Sequence, residues 1–432
     1  MRTVSKTVIG VDFGTQSARA VLVNAENGEI IYSCRKEYPY NSTPVPAIDC
    51  AENLPCATDY EMTLYELLRN VIPEEYRKTV AGICVDATSL TMVLLAEDGR
   101  ALSELDGWSE AAHARVKLWK YHRAQEKADE ALNLARNLQE PFLGRTGGSI
   151  SCEWMLPKLL EVRDEAPEIY SKIDLAMDLC EFLTFRLTGQ LVRSIGSLSY
   201  KCLWAEDLSF PERTFLNGLR AGFYEEYCHF LRGDVRKLGE CAGVLRSELT
   251  KRWGLPEQIP VATGMLDGHT SLATMGAFEP GDAALIVGTS NVCTVQDRKL
   301  QELKDVCGVA QDGMVTGSCG IDTGQSSTGN MLGWFVEHMA GWQIHREAEE
   351  RKISPHQVLA ERIQKPWENK VIAVDWWSGS RNAPCDLTLR GSMSGLEMDT
   401  KTEDIYLALL QAIACGTGTI LESLSGQGVE IG

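Results

Sequence analysis

Asp12, Gly14, Thr15, Gln16 and Ser17 make one short polar run, and Gly288, Thr289 and Ser290 make a second one far downstream. Glycine amides and small hydroxyls in such turns offer N–H and O–H donors to an anion. Asp12 adds a carboxylate suited to an Mg²⁺ ion that keeps most of its waters. Phosphate binding is the chemistry this combination allows. Either run alone is equally an ordinary β-turn, but the repetition favours phosphate. Gly264-Met-Leu-Asp267-Gly268-His269 lies just upstream of the second run. A carboxylate there can accept the proton of a hydroxyl during phosphoryl transfer, although an Asp beside glycine is also a common turn residue.

These residues need elements to hold them. Residues 8–23 read as two apolar strands around the first polar turn, and residues 284–295 repeat that plan. Asn27-Gly28 marks a tight turn, with a third strand returning over 29–35. Spacing predicts an amphipathic helix over 59–71, then an apolar strand over 80–86 that ends in Asp86. Residues 124–140 and 155–188 read as mostly helical, with a stop at Thr188-Gly189, and 259–264 as a strand ending in a turn. Strand, helix, strand in succession indicates an α/β protein. The turn residues of Gly276-Ala-Phe-Glu-Pro-Gly281 place a boundary there, giving domains 1–277 and 278–432.

At 432 residues the chain has room for two domains, and 44% hydrophobic with 24% charged residues is a globular composition. Its net charge of −18 argues against nonspecific binding to nucleic acid or anionic membrane. An anionic substrate therefore needs local help, from a metal ion and oriented N–H groups. The fourteen cysteines contain no CxxC pair, Cys50 and Cys56 being the closest, which argues against a zinc or dithiol redox site. A reduced, cytoplasmic setting is expected. The apolar run before Asp12 is short for a signal peptide, and no stretch approaches the ~18 consecutive apolar residues of a membrane span.

Of four further clusters, three carry two readings each. Ser199-Tyr-Lys201-Cys-Leu-Trp204 is a cation between aromatics, either a polyol site or a surface lysine beside packing rings. His113 to Arg123 is the most basic stretch, either an approach for an anionic substrate or a solvated helix face. Gly320 to Asn330, with Asp322 and Gln325, reads as a polar loop. Asp375-Trp376-Trp377 through Arg381-Asn382 pairs two large rings with a polar tail, as core or as the lining of a cleft.

Together these residues resemble the FGGY carbohydrate kinases, and within them the ribulokinase branch. The resemblance is carried by Asp12-Phe-Gly-Thr15, Val116-Lys-Leu-Trp-Lys-Tyr-His122, Gly147 to Lys158, Tyr200-Lys-Cys-Leu-Trp204, Gly288-Thr-Ser290, Gly324-Gln-Ser326 and Asp375-Trp-Trp377. It implies two ribonuclease-H-like domains of actin/hexokinase type around a cleft, ATP with Mg²⁺, and transfer of the γ-phosphoryl group to the C5 hydroxyl of ribulose. By position it makes Asp267 the base, Ser89, Lys201 and Asp322 sugar contacts, Gly14 to Ser17 and Gly288 to Ser290 nucleotide contacts, and Asp12 the metal organiser. Asp322 stands where ribulokinases usually carry Glu, which keeps xylulose or a polyol open as substrate, and a homodimer is left open too. In this family a glycine-rich adenine-binding segment follows a helix and a strand. Here these read as 403–423 and the opening of a strand at 429–431, so the second domain is expected to be incomplete, which also leaves open a noncatalytic sugar-binding protein derived from a kinase.

Overall fold

A computed structural model of the chain describes residues 5–38, 54–381, 386 and 388–432; Cys50 and Asn382, named above, lie outside them. The chain forms two compact units: residues 1–143, 149–274 and 310–319 make the first, and 144–148, 275–309 and 320–432 the second.

The first unit is built on a seven-stranded sheet. Strands β1 (Thr7–Phe13), β2 (Ser17–Asn24) and β3 (Ile30–Glu37) form an antiparallel meander, helix α1 (Ala57–Val71) follows, and β4 (Val80–Ala87) returns parallel to β1. Strand order is β3, β2, β1, β4, then Pro260–Ala262 and Cys241–Val244, with Met265–Leu266 also paired to β4. Alternation explains β1: Ile9, Val11 and Phe13 are buried while the residues between them are not. Helix α1 sets Tyr60, Leu64, Leu67, Leu68 and Val71 in the same core, each large apolar side chain contributing about 1.5–3 kcal/mol by burial. A cavity of about 350 Å³ lined by Leu68, Arg69, Ile72, Arg77, Arg252 and Trp253 lies where α1 and helix Ser247–Trp253 end. Cations there complement the carbonyl ends of both helices.

The stretch 155–188, expected to be mostly helical, is broken. Helices Met155–Glu165, Pro167–Tyr170 and Leu179–Thr188 flank a strand, Leu175–Asp178. A short apolar run cannot be separated from helix by periodicity alone, and here Asp178 ends the strand by capping the next helix, accepting from the Leu179 N–H at 2.8 Å. The predicted stop is where that helix ends, with Gly189 at φ +71°.

In the second unit the four-stranded sheet runs Ala283–Val287, Asn291–Asp297, Cys319–Gln325, Gly308–Gln311. The first two strands are the predicted hairpin. Residues 320–330 are not the expected loop: all seven residues of Cys319–Gln325 are buried in a strand, and helix Gly329–Met339 follows. Helix Thr402–Gly426 is long and apolar enough to cross a membrane by length and composition, which the search for an unbroken apolar run did not register. It packs on strand Ile372–Val374 and helices Gly329–Met339 and Pro355–Arg362, burying Tyr406 and Leu409. Residues 429–431, expected to open a strand, are not in one; the Val429 N–H bonds back to the Leu424 carbonyl at 3.1 Å, and the Gly432 N–H donates to the Gly281 carbonyl at 2.9 Å.

Arg193 and Glu181 form a fully buried pair in the first unit at 2.7 Å, the guanidinium also donating to the carbonyls of Arg232 and Phe230. Arg193→Met should strand the Glu181 carboxylate and cost about 3–5 kcal/mol. The check is a lowered urea midpoint; an unchanged midpoint contradicts it.

Candidate active site

Register assembles the first unit's site. Parallel pairing aligns Asp12 with Asp86, and Met265–Leu266 runs beside Asp86-Ala87, so that Asp267 follows directly on the third strand end. Three carboxylates thus gather at the carboxyl ends of adjacent strands, where open α/β sheets bind ligands. Asp86 is the most perturbed: burial first, then the Asp12 and Asp267 charges, push its carboxyl up to about 8. Its Oδ1 is buried with no hydrogen-bond partner. Burial likewise raises Asp267, while the backbone amides of Gly268 and Ser89 beside its carboxylate act in the lowering direction; the Gly268 N–H donates to Oδ1 at 2.7 Å. Arg19 Nε stands 4.0 Å from the half-exposed Asp12.

An unpartnered carboxylate oxygen beside a second carboxylate fits a hard cation. Mg²⁺ is commonly held by only one or two carboxylates, with waters and substrate phosphates completing the shell. Among the described residues no three His, Cys, Asp or Glu side chains are grouped to hold a metal by themselves.

The first polar turn is tightly braced. Gly14 donates its N–H to the Ser17 carbonyl at 3.2 Å, and its own carbonyl accepts from Tyr38 Oη at 2.9 Å. Ser17 Oγ accepts from Arg35 at 3.0 Å, and Thr15 Oγ1 from Trp119 Nε1 at 3.2 Å. The Gly14 amide and Ser17 hydroxyl are therefore engaged within the protein. Gln16 is the exposed tip.

Lys201 closes helix Ile195–Lys201 and is 6% exposed, which removes the surface-lysine alternative. Its neighbour Tyr200 meets the ring of His269 edge-on at 4.8 Å, and His269 shares its helix with Asp267. Ser89 lies in the loop after β4, its Oγ buried without a partner. The basic stretch 113–123 is neither a solvated face nor an open approach. Lys117 is fully buried, paired with Glu161 at 3.3 Å, and burial pushes its ammonium down to about 8.

In the second unit Gly288 and Thr289 are exposed at the hairpin tip. Behind them the Gly288 carbonyl accepts from the Gly329 N–H at 3.0 Å, and Thr328 Oγ1 lies 3.1 Å from that carbonyl and 2.9 Å from Asn291 Oδ1, its one proton shared between the two acceptors. Asn291 Nδ2 donates to Gln325 Oε1 at 3.0 Å. Gln325 Nε2 in turn donates to Asp375 Oδ2 at 2.6 Å and to the Ile413 carbonyl at 3.0 Å, while Thr417 Oγ1 donates to Gln325 Oε1 at 2.7 Å. The turn is thereby tied to the Asp-Trp-Trp stretch and the long helix. Asp322 is 7% exposed in strand Cys319–Gln325 of this unit, whereas Ser89, Lys201 and Asp267 belong to the first.

Residues 7–274 match the N-terminal domain, and residues 283–432 the C-terminal domain, of the FGGY family of carbohydrate kinases. The chain belongs to the FGGY family. It is a carbohydrate kinase, with ATP as phosphate donor and a sugar as acceptor. It is similar to the ribulokinase of Halalkalibacterium halodurans, 34% identical over 437 residues, which take in 99% of this chain and 78% of that one. The ribulokinase of Mycolicibacterium smegmatis is 36% identical over 438 residues, 99% and 77% of the two chains. Among solved structures, the xylulose kinase from Rhodospirillum rubrum has a TM-score of 0.75 at 20% identity, covering 99% of this chain and 80% of that one. Plasmodium falciparum glycerol kinase with ADP has the same score at 16% identity, with 99% and 80% covered. The two-domain α/β fold of this FGGY kinase is the expected one. The expected truncation of its second domain is not borne out by these comparisons.

Three residues of the site escaped the sequence reading as site residues. Asp86 had a signal: Val85-Asp86 ends its strand as Val11-Asp12 ends β1. Trp119 lay in the basic stretch and Gln325 in the polar run 320–330, and both lay in the resemblance, but neither was assigned a role. Since the folded state holds the Asp86 proton up to about pH 8, it binds more protons than the unfolded chain above the ordinary carboxyl range. This contribution to stability is full in acid and is lost as pH rises through about 8. In metal-free buffer, Asp86→Asn should therefore raise the Tm by several degrees near pH 8 and by less near pH 5. Thermal melts at both values check this, and an equal or inverted gain contradicts it.

Proposed function

We propose that this FGGY kinase phosphorylates a ketopentose, with ribulose as the preferred substrate, passing the γ-phosphoryl group of ATP to the C5 hydroxyl. The observation that carries the reading is Asp267, a partly buried carboxylate with a raised pKa at the meeting of three strand ends. A carboxylate whose pKa is raised by burial is a stronger base toward a sugar hydroxyl than one in water. Lys201, Ser89 and Asp322 are the sugar contacts in this reading. Thr15, Gln16, Thr289 and Ser290 face the phosphates, while Gly14, Ser17 and Gly288 shape the turns that present them. Asp12 and Asp86 would hold Mg²⁺, which when bound offsets charge on the phosphate oxygens. In this reading domain 1–277 supplies the base, most of the sugar contacts and the first phosphate turn, and domain 278–432 supplies Asp322 and the second phosphate turn. A cytoplasmic enzyme fits the reduced cysteines.

The ribulokinase relatives support ribulose. Asp322 favours a second reading, a kinase for xylulose or a related polyol, because it is one methylene shorter than the Glu usual among ribulokinases. A site built to bond a given hydroxyl rejects the wrong stereoisomer strongly when its polar groups are left unpaired, so kcat/KM for ribulose against xylulose separates the two.

Asp267→Asn should lower kcat by about 10²–10⁴ while leaving sugar binding by calorimetry intact. A coupled ADP-release assay checks it. Turnover within a few-fold of the parent removes Asp267 from the base role, and no ADP release by the parent with any ketose or polyol overturns the kinase reading.

A further inference from the structure

Leu90 holds the left-handed backbone conformation, φ +62°, although it is not glycine and is buried. Such a conformation is strained for a side-chain-bearing residue and persists only where its surroundings hold it there. Both of its peptide groups are gripped by buried ionisable side chains from distant parts of the first unit. Its N–H donates to Asp178 Oδ2 at 3.1 Å, and its carbonyl accepts from Lys158 Nζ at 2.7 Å. Asp178 is itself fixed by the Leu179 N–H at 2.8 Å and by Ser197 Oγ at 3.2 Å. Lys158, on helix Met155–Glu165, also donates to the carbonyls of Leu118 at 3.0 Å and Lys117 at 3.3 Å.

Each gripped segment leads directly to the site. Thr88, two residues before Leu90, donates its N–H to the carbonyl of Phe13 at 2.9 Å, next to Asp12 at the end of β1, and the backbone of Ser89 lies close enough to Asp267 to favour its carboxylate. Trp119, one residue after Leu118, donates to Thr15. One ammonium thus joins the loop that touches the carboxylate to the loop that braces the first polar turn. Packing alone does not account for it. Lys158 has no ion pair within 4 Å among the described residues, and burial pushes it down to about 7, a cost that a methionine of similar length would avoid.

We propose that Lys158 and Asp178 are positioning residues for phosphoryl transfer: they hold Leu90 left-handed so that the Ser89 amide meets Asp267, and Lys158 ties this loop to the Trp119 segment behind Thr15. The proposal rests on the reading of Asp267 as the base. The test uses the full chain with saturating ribulose and ATP. Lys158→Met should lower kcat about tenfold to a hundredfold, the size of effect a small misplacement produces. Leu90→Gly added to Lys158→Met should then recover several-fold of that loss while lowering Tm further, because glycine takes the left-handed conformation without being held. A purely structural Lys158 gives the opposite order, the double variant being slower than the single one. A folded Lys158→Met with kcat within twofold of the parent, or a double variant no faster than the single one, overturns the proposal. If Lys158→Met does not fold, Asp178→Asn with and without Leu90→Gly is judged by the same criterion. Asp267→Asn run alongside separates the two failures: unchanged turnover there sinks the base reading, whereas lost turnover there with an unaffected Lys158→Met sinks only the clamp.

Discussion

Parallel pairing of β1 with β4 sets the Asp12 and Asp86 carboxylates opposite one another, and much of the first unit answers to that constraint. Two like charges this close cannot both ionise without cost. Burial keeps water from relieving the repulsion at Asp86, so the site is left with an unmet demand for positive charge, which a proton or a cation can supply. Asp267 joins them on a third strand end, close enough to raise Asp86 further. In a chain of net charge −18 such a cluster repels an anionic nucleotide unless a cation comes with it.

Much of this was legible from residue types. The hairpins, α1 and β4 follow from apolar spacing and from turns rich in Gly, Thr and Ser, and the α/β class follows from their order. What was not legible depends on partners remote in sequence. Lys117 sits in a basic run that reads as surface, and only the fold supplies Glu161 to receive it. Strand Cys319–Gln325 is too polar to read as buried, because its hub, Gln325, is satisfied by Asp375, Asn291 and Thr417 from three other segments. Asp86 was visible as a residue but not as a neighbour, since no local pattern specifies which strands pair in parallel. Strand Leu175–Asp178 was lost for a different reason: three apolar residues before Asp178 fit either period.

Both units brace their polar turns with side chains from other elements. In the first, Trp119 and Tyr38 hold Thr15 and Gly14. In the second, Thr328 holds Gly288, and the chain of amides behind it ends on Asp375 and the long helix. Placing the contacts on short turns while fixing them from packed elements limits the freedom that loops otherwise have.

The Gln325 hub also determines which parts of helix Thr402–Gly426 are open to sequence change. A Cβ at Gly416 would collide with the Gln325 amide and the Asp375 carboxylate, whereas one at Gly418 would meet nothing within 4 Å. Both positions look alike to a stabilisation scheme that replaces helical glycines with alanine to raise helix propensity. In this kinase only one of them is free to take it, and the other glycine is the space in which the second unit's polar wiring runs.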